Sequence, residues 1–277
     1  MNLKLALVIG GVALGGILFF LPKTHVSNET AQEETKHAAE ELTDDEVYVH
    51  HFSSLDSVTK QKLSDIDQLM EKSEGEQRDS LLFQKIKIWE QQNDLLITGI
   101  LFSKLAKSAN DNGPYLLESG TRFLGAMDNA VDSAERNFAA QSALKTLELA
   151  TKADPENLDY QASYAQAVAL TDPAPLKGVS MLREILKKDP KHQKTWYILG
   201  VLAIQSNQLD KANGRFSFLN ENYPNFPDAW YYRAQVLYSL GKSDSTVICL
   251  QKFKSLINDP MLKKEVQKQI EEVKSKS

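Results

Sequence analysis

TWYILGVLAIQ runs from Thr195 to Gln205, and AWYYRAQVLYS runs from Ala229 to Ser239, so that Trp230 answers Trp196 further along the chain. In the first stretch Trp196, Leu199 and Ala203 are spaced by three and four, so they share one helical face. Leu209, Ala212, Phe216 and Leu219 form a second stripe at helical spacing after a break at Asn207. Gly200 and Ala212 are small where two antiparallel helices would cross closely, and Pro224 ends the second helix. The pattern then restarts with Trp230, Ala234, a turn at Gly241, and Leu250 and Phe253. Pro190 precedes Trp196 by six residues, as Pro224 precedes Trp230. The expectation is a repeated helix–turn–helix unit, and no part of the chain reads as a strand domain.

The order W-x2-L-G, then Ala, three residues, Phe and Pro, carried by Trp196, Leu199, Gly200, Ala212, Phe216 and Pro224, resembles the tetratricopeptide (TPR) family. The interval from Trp196 to Trp230 matches that family's repeat length of about 34 residues. The family's mid-helix Tyr is replaced here by Ala203, and the next unit departs from the motif at Arg233 and Thr246. The resemblance implies an all-α fold, a superhelix of stacked helical pairs. One pair cannot bury its apolar stripe alone, whereas stacked pairs bury a continuous core and curl around a concave groove. On this reading residues 113–260 hold four TPR-like units. Residues 53–112 hold leading helices and a degenerate unit with Asn93 as its turn, and 261–277 form a capping helix and tail. The span from Gly120 to Ala143 is too long for a standard unit and predicts stretched helices.

In that family the first helix of each pair lines the groove. Carried over, the groove positions are Lys194, Tyr197, Val201, Ile204 and Gln205 in one unit, and Asp228, Tyr231, Gln235 and Tyr238 in the next. The preceding unit offers Asp159, Ala162, Gln166 and Ala169. Tyrosines are stiff and amphipathic, which suits peptide contact; the alternative is that some of them pack between repeats. Chaperone-docking members of the family clamp a terminal carboxylate with Lys and Asn, and that clamp is missing at Ala162, Tyr197, Tyr231, Gln166, Val201 and Gln235. The expected function is a scaffold binding a protein or peptide partner, in envelope assembly or protein translocation. A narrower alternative is an accessory factor of cytochrome c maturation type that presents an apoprotein to a ligase, although no haem motif here supports it.

Catalytic constellations are missing. The chain has no G-x-S-x-G, H-E-x-x-H, C-x-x-C or P-loop, so neither an enzyme nor a cofactor is expected. Cys249 lies among apolar neighbours and reads as a small buried hydrophobe. His50 and His51 follow Asp44, Asp45 and Glu46, so a metal site is conceivable. Adjacent histidines seldom converge on one ion, and no second cluster completes a shell, so no metal is expected and the pair reads as the solvated end of a tether.

Formal net charge is −5, and it is concentrated. Residues 24–52 carry −7, residues 1–23 carry +2, and residues 53–277 balance to zero. The folded part therefore lacks the basic face that nucleic-acid binding needs. Leu5–Pro22 is an 18-residue span without charge. As a helix it would cover about 27 Å, close to the hydrocarbon thickness of a bilayer. Phe19, Phe20 and Leu21 are bulky where a signal peptidase needs small residues. Residues 1–23 are thus expected to be an uncleaved anchor in the inner (cytoplasmic) membrane, with the soluble part in the periplasm. Gly11 and Gly15 form a G-x-x-x-G that could pair two such helices into a homodimer. Residues 24–52 are too polar to bury much surface and read as an acidic flexible tether.

Overall fold

In a computed structural model, residues 42–109, 112–171 and 176–275 are described. Among these residues every regular element is an α-helix. The chain divides into two compact units, whose described parts are 42–171 and 176–275.

The first unit contains α1 (Asp44–Ser53), α2 (Ser57–Met70), α3 (Gly75–Gln91), α4 (Leu95–Ser108), α5 (Gly113–Asn129), α6 (Ser133–Ala153) and α7 (Leu158–Thr171). From α2 onward each helix packs on its successor. α4 is buried around most of its circumference, as its sequence LLITGILFSKLA requires of a helix with few polar residues. Its Leu96, Ile97, Ile100, Leu101 and Leu105 meet Trp89 of α3 and Phe123 of α5 in one core. α5 and α6 are long, at 17 and 21 residues, which fits the stretched spacing between Gly120 and Ala143. They cross at Gly120, where a Cβ would lie 2.3 Å from Cγ of Leu147. Side-chain caps start five of these helices: Thr43, Asp56, Asp94, Asp132 and Asn157 each accept a backbone N–H of the first turn.

α1 departs from the expected tether. Residues 44–52 are helical, begun by a reciprocal capping box between Thr43 and Glu46, and Val47 is buried in the core of the unit. His51 is not solvated either. Its Nδ1 donates to Asp94 at the start of α4 at 2.5 Å, and its Nε2 faces Glu135 of α6 at 3.1 Å. The hydrogen bond to Asp94 raises the His51 pKa above the usual histidine range. Local polarity suggests a tether because the residues that dock α1 lie 43 and 84 positions further along the chain.

The second unit contains α8 (Leu176–Lys188), α9 (Gln193–Gln205), α10 (Leu209–Asn222), α11 (Pro227–Ser239), α12 (Ser243–Leu256) and α13 (Pro260–Ser275). The hairpin α9–α10 repeats as α11–α12, down to individual bonds. Asn207 and Gly241 both take left-handed backbone, with φ of 56° and 71°. After them the N–H of Gln208 reaches the carbonyl of Ala203 at 2.8 Å, and that of Lys242 reaches Leu237 at 2.9 Å. These are Schellman closures, which occupy carbonyls the helix end would otherwise leave without partners. The turn between α3 and α4 is built the same way, with Asn93 at φ 58° and the N–H of Asp94 on the carbonyl of Trp89. The indole N–H of Trp196 donates to the carbonyl of Pro190 at 2.9 Å, and that of Trp230 to Pro224 at 3.0 Å. The six-residue interval from Pro to Trp is therefore a bonded clip from the inter-hairpin turn to the next helix.

Within each hairpin the small residues permit close approach. A Cβ on Gly200 would stand 2.6 Å from Cζ of Phe216, which is fully buried. Leu199, Ala212 and Ala234 are buried as their spacing requires. Trp196 stacks on Phe218 with centroids 4.2 Å apart. α13 lays Leu262, Val266 and Ile270 against Leu250 and Phe253 of α12, covering an apolar face that would otherwise meet water. Cys249 is buried, and burial pushes its thiol pKa up, so it packs as a hydrophobe. No helix among the described residues is long and apolar enough to cross a membrane. The expected anchor at residues 5–22 and the Gly11–Gly15 pair lie outside the described residues.

Candidate functional site

The positions carried over to the groove lie on α9 and α11, which touch each other across the hairpin repeat. The structure sorts them into two groups. Gln205 is exposed, and Lys194, Val201, Asp228, Gln235 and Tyr238 are half-buried. These side chains lie on the two first helices and leave polar or amphipathic groups within reach of solvent.

The two tyrosines at equivalent positions behave differently. Tyr231 is only 4% exposed and belongs to the core between α11 and α12, tilted against Phe253 at 5.1 Å. Its placement on a partner-binding face is therefore corrected. Burial raises its pKa, and Gln235 hydrogen-bonds to it, so Gln235 faces partly inward as well. Tyr197 is half-buried at the join of three elements. Its ring meets Phe216 of α10 at 6.4 Å, Phe226 ahead of α11 at 5.6 Å and Tyr232 of α11 at 5.7 Å, all edge-on. Burial, with Tyr232 alongside, holds the Tyr197 phenol well above its ordinary pKa. Tyr232, which sequence reading passes over, completes this cluster by stacking on Phe216 at 5.6 Å and 12°. Its signal is the doubled Tyr231-Tyr232: side chains about 100° apart on a helix serve two interfaces.

Asp228 adds the main electrostatic feature of this face. Burial raises its pKa above the usual aspartate range. Further up the chain, Ala162 and Ala169 of α7 are buried, while Asp159 is exposed and Gln166 half-buried. The face on α9 and α11 can therefore offer a lysine, amides, a carboxylate and a phenol around the half-buried Val201, which suits reversible polypeptide contact. No nucleophile, base and acid converge on it.

No protein-family model matches the chain, and no curated protein matches it. Among solved structures, the chain is similar to a crystal structure of MamA at 16% identity and TM-score 0.39, covering 65% of this chain and 94% of that one. It is also similar to YrrB, described as a TPR protein with an unusual peptide-binding site, at 15% identity and TM-score 0.39, covering 68% and 91%. A third similarity is to a tetratricopeptide repeat protein from Parabacteroides merdae ATCC 43184, at 14% identity and TM-score 0.45, covering 81% and 98%.

Proposed function

We propose that this protein is a membrane-anchored scaffold of tetratricopeptide type that holds a protein or peptide partner against the solvent-facing side of α9 and α11. The observation that carries this reading is the bond-for-bond repetition of the α9–α10 hairpin in α11–α12. A repeated hairpin uses one side of each helix for its own partner and another for the neighbouring repeat, and leaves the remaining side of the first helices available. That side bears Lys194, Val201, Gln205 and Tyr238, none of which is fully buried. The charge-free span of residues 5–22 supports the anchor, and Lys4 with the amino terminus ahead of it, against Lys23 alone behind it, gives a slight bias towards the folded units lying outside the cytoplasm. Such a placement suits a role in envelope assembly or protein translocation.

The test is in-cell cross-linking with mass spectrometry on three forms of the chain. One is wild type, one carries Gln205→Arg with Tyr238→Ala, and one carries Ile248→Ser. Ile248 is 61% exposed on α12 and serves as the control away from the proposed face. A partner captured by wild type and Ile248→Ser but lost from the double variant supports the reading. Equal capture by all three refutes the location of the site.

A further inference from the structure

We propose that His50, His51 and Glu135 form a site for one divalent transition-metal cation, of the Zn²⁺ type, with Asp94 as the outer partner of His51. One ligand atom from each of the three residues falls within 4.8 Å of the other two. Two of the three separations are 3.1 Å, from His51 Nε2 to Glu135 Oε1, and 3.4 Å, from His50 Nδ1 to the same oxygen. Ligands at tetrahedral angles around Zn²⁺, with bonds of about 2.0–2.1 Å, lie about 3.3–3.4 Å apart. The 3.4 Å edge already has that length, and the 3.1 Å edge, now a hydrogen bond, has to open by about 0.2–0.3 Å to admit the ion. The third edge, between the two imidazoles, is within 4.8 Å, and the His50 side chain is 68% exposed and so has room to rotate.

The site is built from three helices. Asp94 caps α4, with Oδ1 accepting the Ile97 N–H at 3.0 Å, which leaves Oδ2 to accept from His51 Nδ1. That bond puts a hydrogen on Nδ1 and aims Nε2 at Glu135, where it donates while the ring is protonated and becomes a ligand when a metal ion displaces that proton. Orientation of a ligating imidazole by an outer carboxylate is the usual arrangement at zinc sites. Glu135 is 5% exposed in the first turn of α6, and its Oε2 accepts the Val131 N–H at 3.3 Å. A buried carboxylate needs a cationic partner. A proton shared with His51 would meet that need with a single histidine. The second nitrogen, from His50, converging on the same Glu135 oxygen is what distinguishes a metal site from a protonated clip. Two imidazoles and one carboxylate are a donor set zinc accepts, with water in the fourth position. Of the carboxylates that precede the pair in sequence, Glu46 is engaged in the cap with Thr43, and the carboxylate that converges on the two histidines comes from α6.

The experiment uses the full-length chain in mild detergent, stripped with chelator and titrated with Zn²⁺ alone at pH 8. Isothermal titration calorimetry and thermal melting are the readouts. Expected are one Zn²⁺ per chain and a higher Tm with metal. His50→Ala should leave the metal-free Tm unchanged, because the side chain is exposed, and weaken binding at least about tenfold. Asp94→Asn retains an oxygen to cap α4 and should weaken binding by about 10–100-fold. His192→Ala, in the second unit, removes the cap of α9 and so lowers Tm with and without metal, but should leave Zn²⁺ affinity and stoichiometry unchanged. Absence of stoichiometric binding, or wild-type affinity in His50→Ala, overturns the proposal.

Discussion

Two glycines of the α9–α10 hairpin should respond to the same substitution with opposite signs. Gly214 lies inside α10 and is exposed, and a Cβ there would meet nothing within 4 Å. Gly214→Ala should therefore stabilise the protein by about 0.5–1 kcal/mol, the backbone entropy and helix propensity that glycine forgoes. Gly200 also lies inside a helix, so alanine gains the same amount there. Its Cβ, however, would come within 2.6, 2.9 and 3.0 Å of three atoms of the Phe216 ring. That ring cannot yield easily: it is fully buried, stacked on Tyr232 and met edge-on by Tyr197. Overpacking of this kind costs about 1–3 kcal/mol. The propensity gain is common to both variants, so their difference in stability is the steric cost itself, about 1–3 kcal/mol in favour of Gly214→Ala. Urea unfolding of the full-length chain, followed by hydrogen exchange of peptides covering residues 193–222, measures that difference locally. Equal stability of the two variants, or a more stable Gly200→Ala, would refute the assigned close crossing of α9 and α10.

The division between core and face tyrosines can be tested through stability. Tyr231→Ala empties a buried aromatic site and should cost about 3–5 kcal/mol, whereas Tyr238→Ala on the half-buried face should cost far less; similar urea midpoints would contradict this assignment. Asp228 should impose a pH dependence on the second unit. Its folded-state pKa is raised by burial, so the folded form binds the proton more tightly than the unfolded form. Its contribution to stability is therefore fully present below the ordinary aspartate range and is lost as pH rises through the elevated folded-state value. Asp228→Asn should flatten the pH profile across that window and raise stability at neutral pH. An unchanged profile in thermal melts from acid to neutral pH would show that Asp228 is not desolvated as described.

Much of the second unit is legible before any coordinates. Trp196, Gly200, Asn207, Ala212 and Phe216 identify a helical hairpin because each meets a local demand: a face, a close crossing or a left-handed turn. Their counterparts in the next hairpin meet the same demands with different side chains, as Gly241 does for Asn207. Both residues tolerate a left-handed backbone, so the turn persists although the letter changes. The long α5 and α6 are foreshadowed by the wide interval between Gly120 and Ala143. The fate of the tyrosines is not legible in the same way. Tyr197 and Tyr231 occupy equivalent positions, yet one sits at an aromatic join between hairpins and the other in the core against Phe253.

The sequence by itself determined the helical class, the repeat period and the turn positions of the second unit, because these follow from contacts among residues a few turns apart. Only the tertiary structure decided which side of α11 faces Phe253, since helical periodicity places a side chain on a face but does not say what that face meets. It also decided that the acidic stretch before residue 53 ends in a docked helix. His50 and His51 acquire their partners from Asp94 and Glu135, and each carboxylate is placed by the start of a different helix. A cluster whose members lie 84 positions apart leaves no pattern within any local window of the chain.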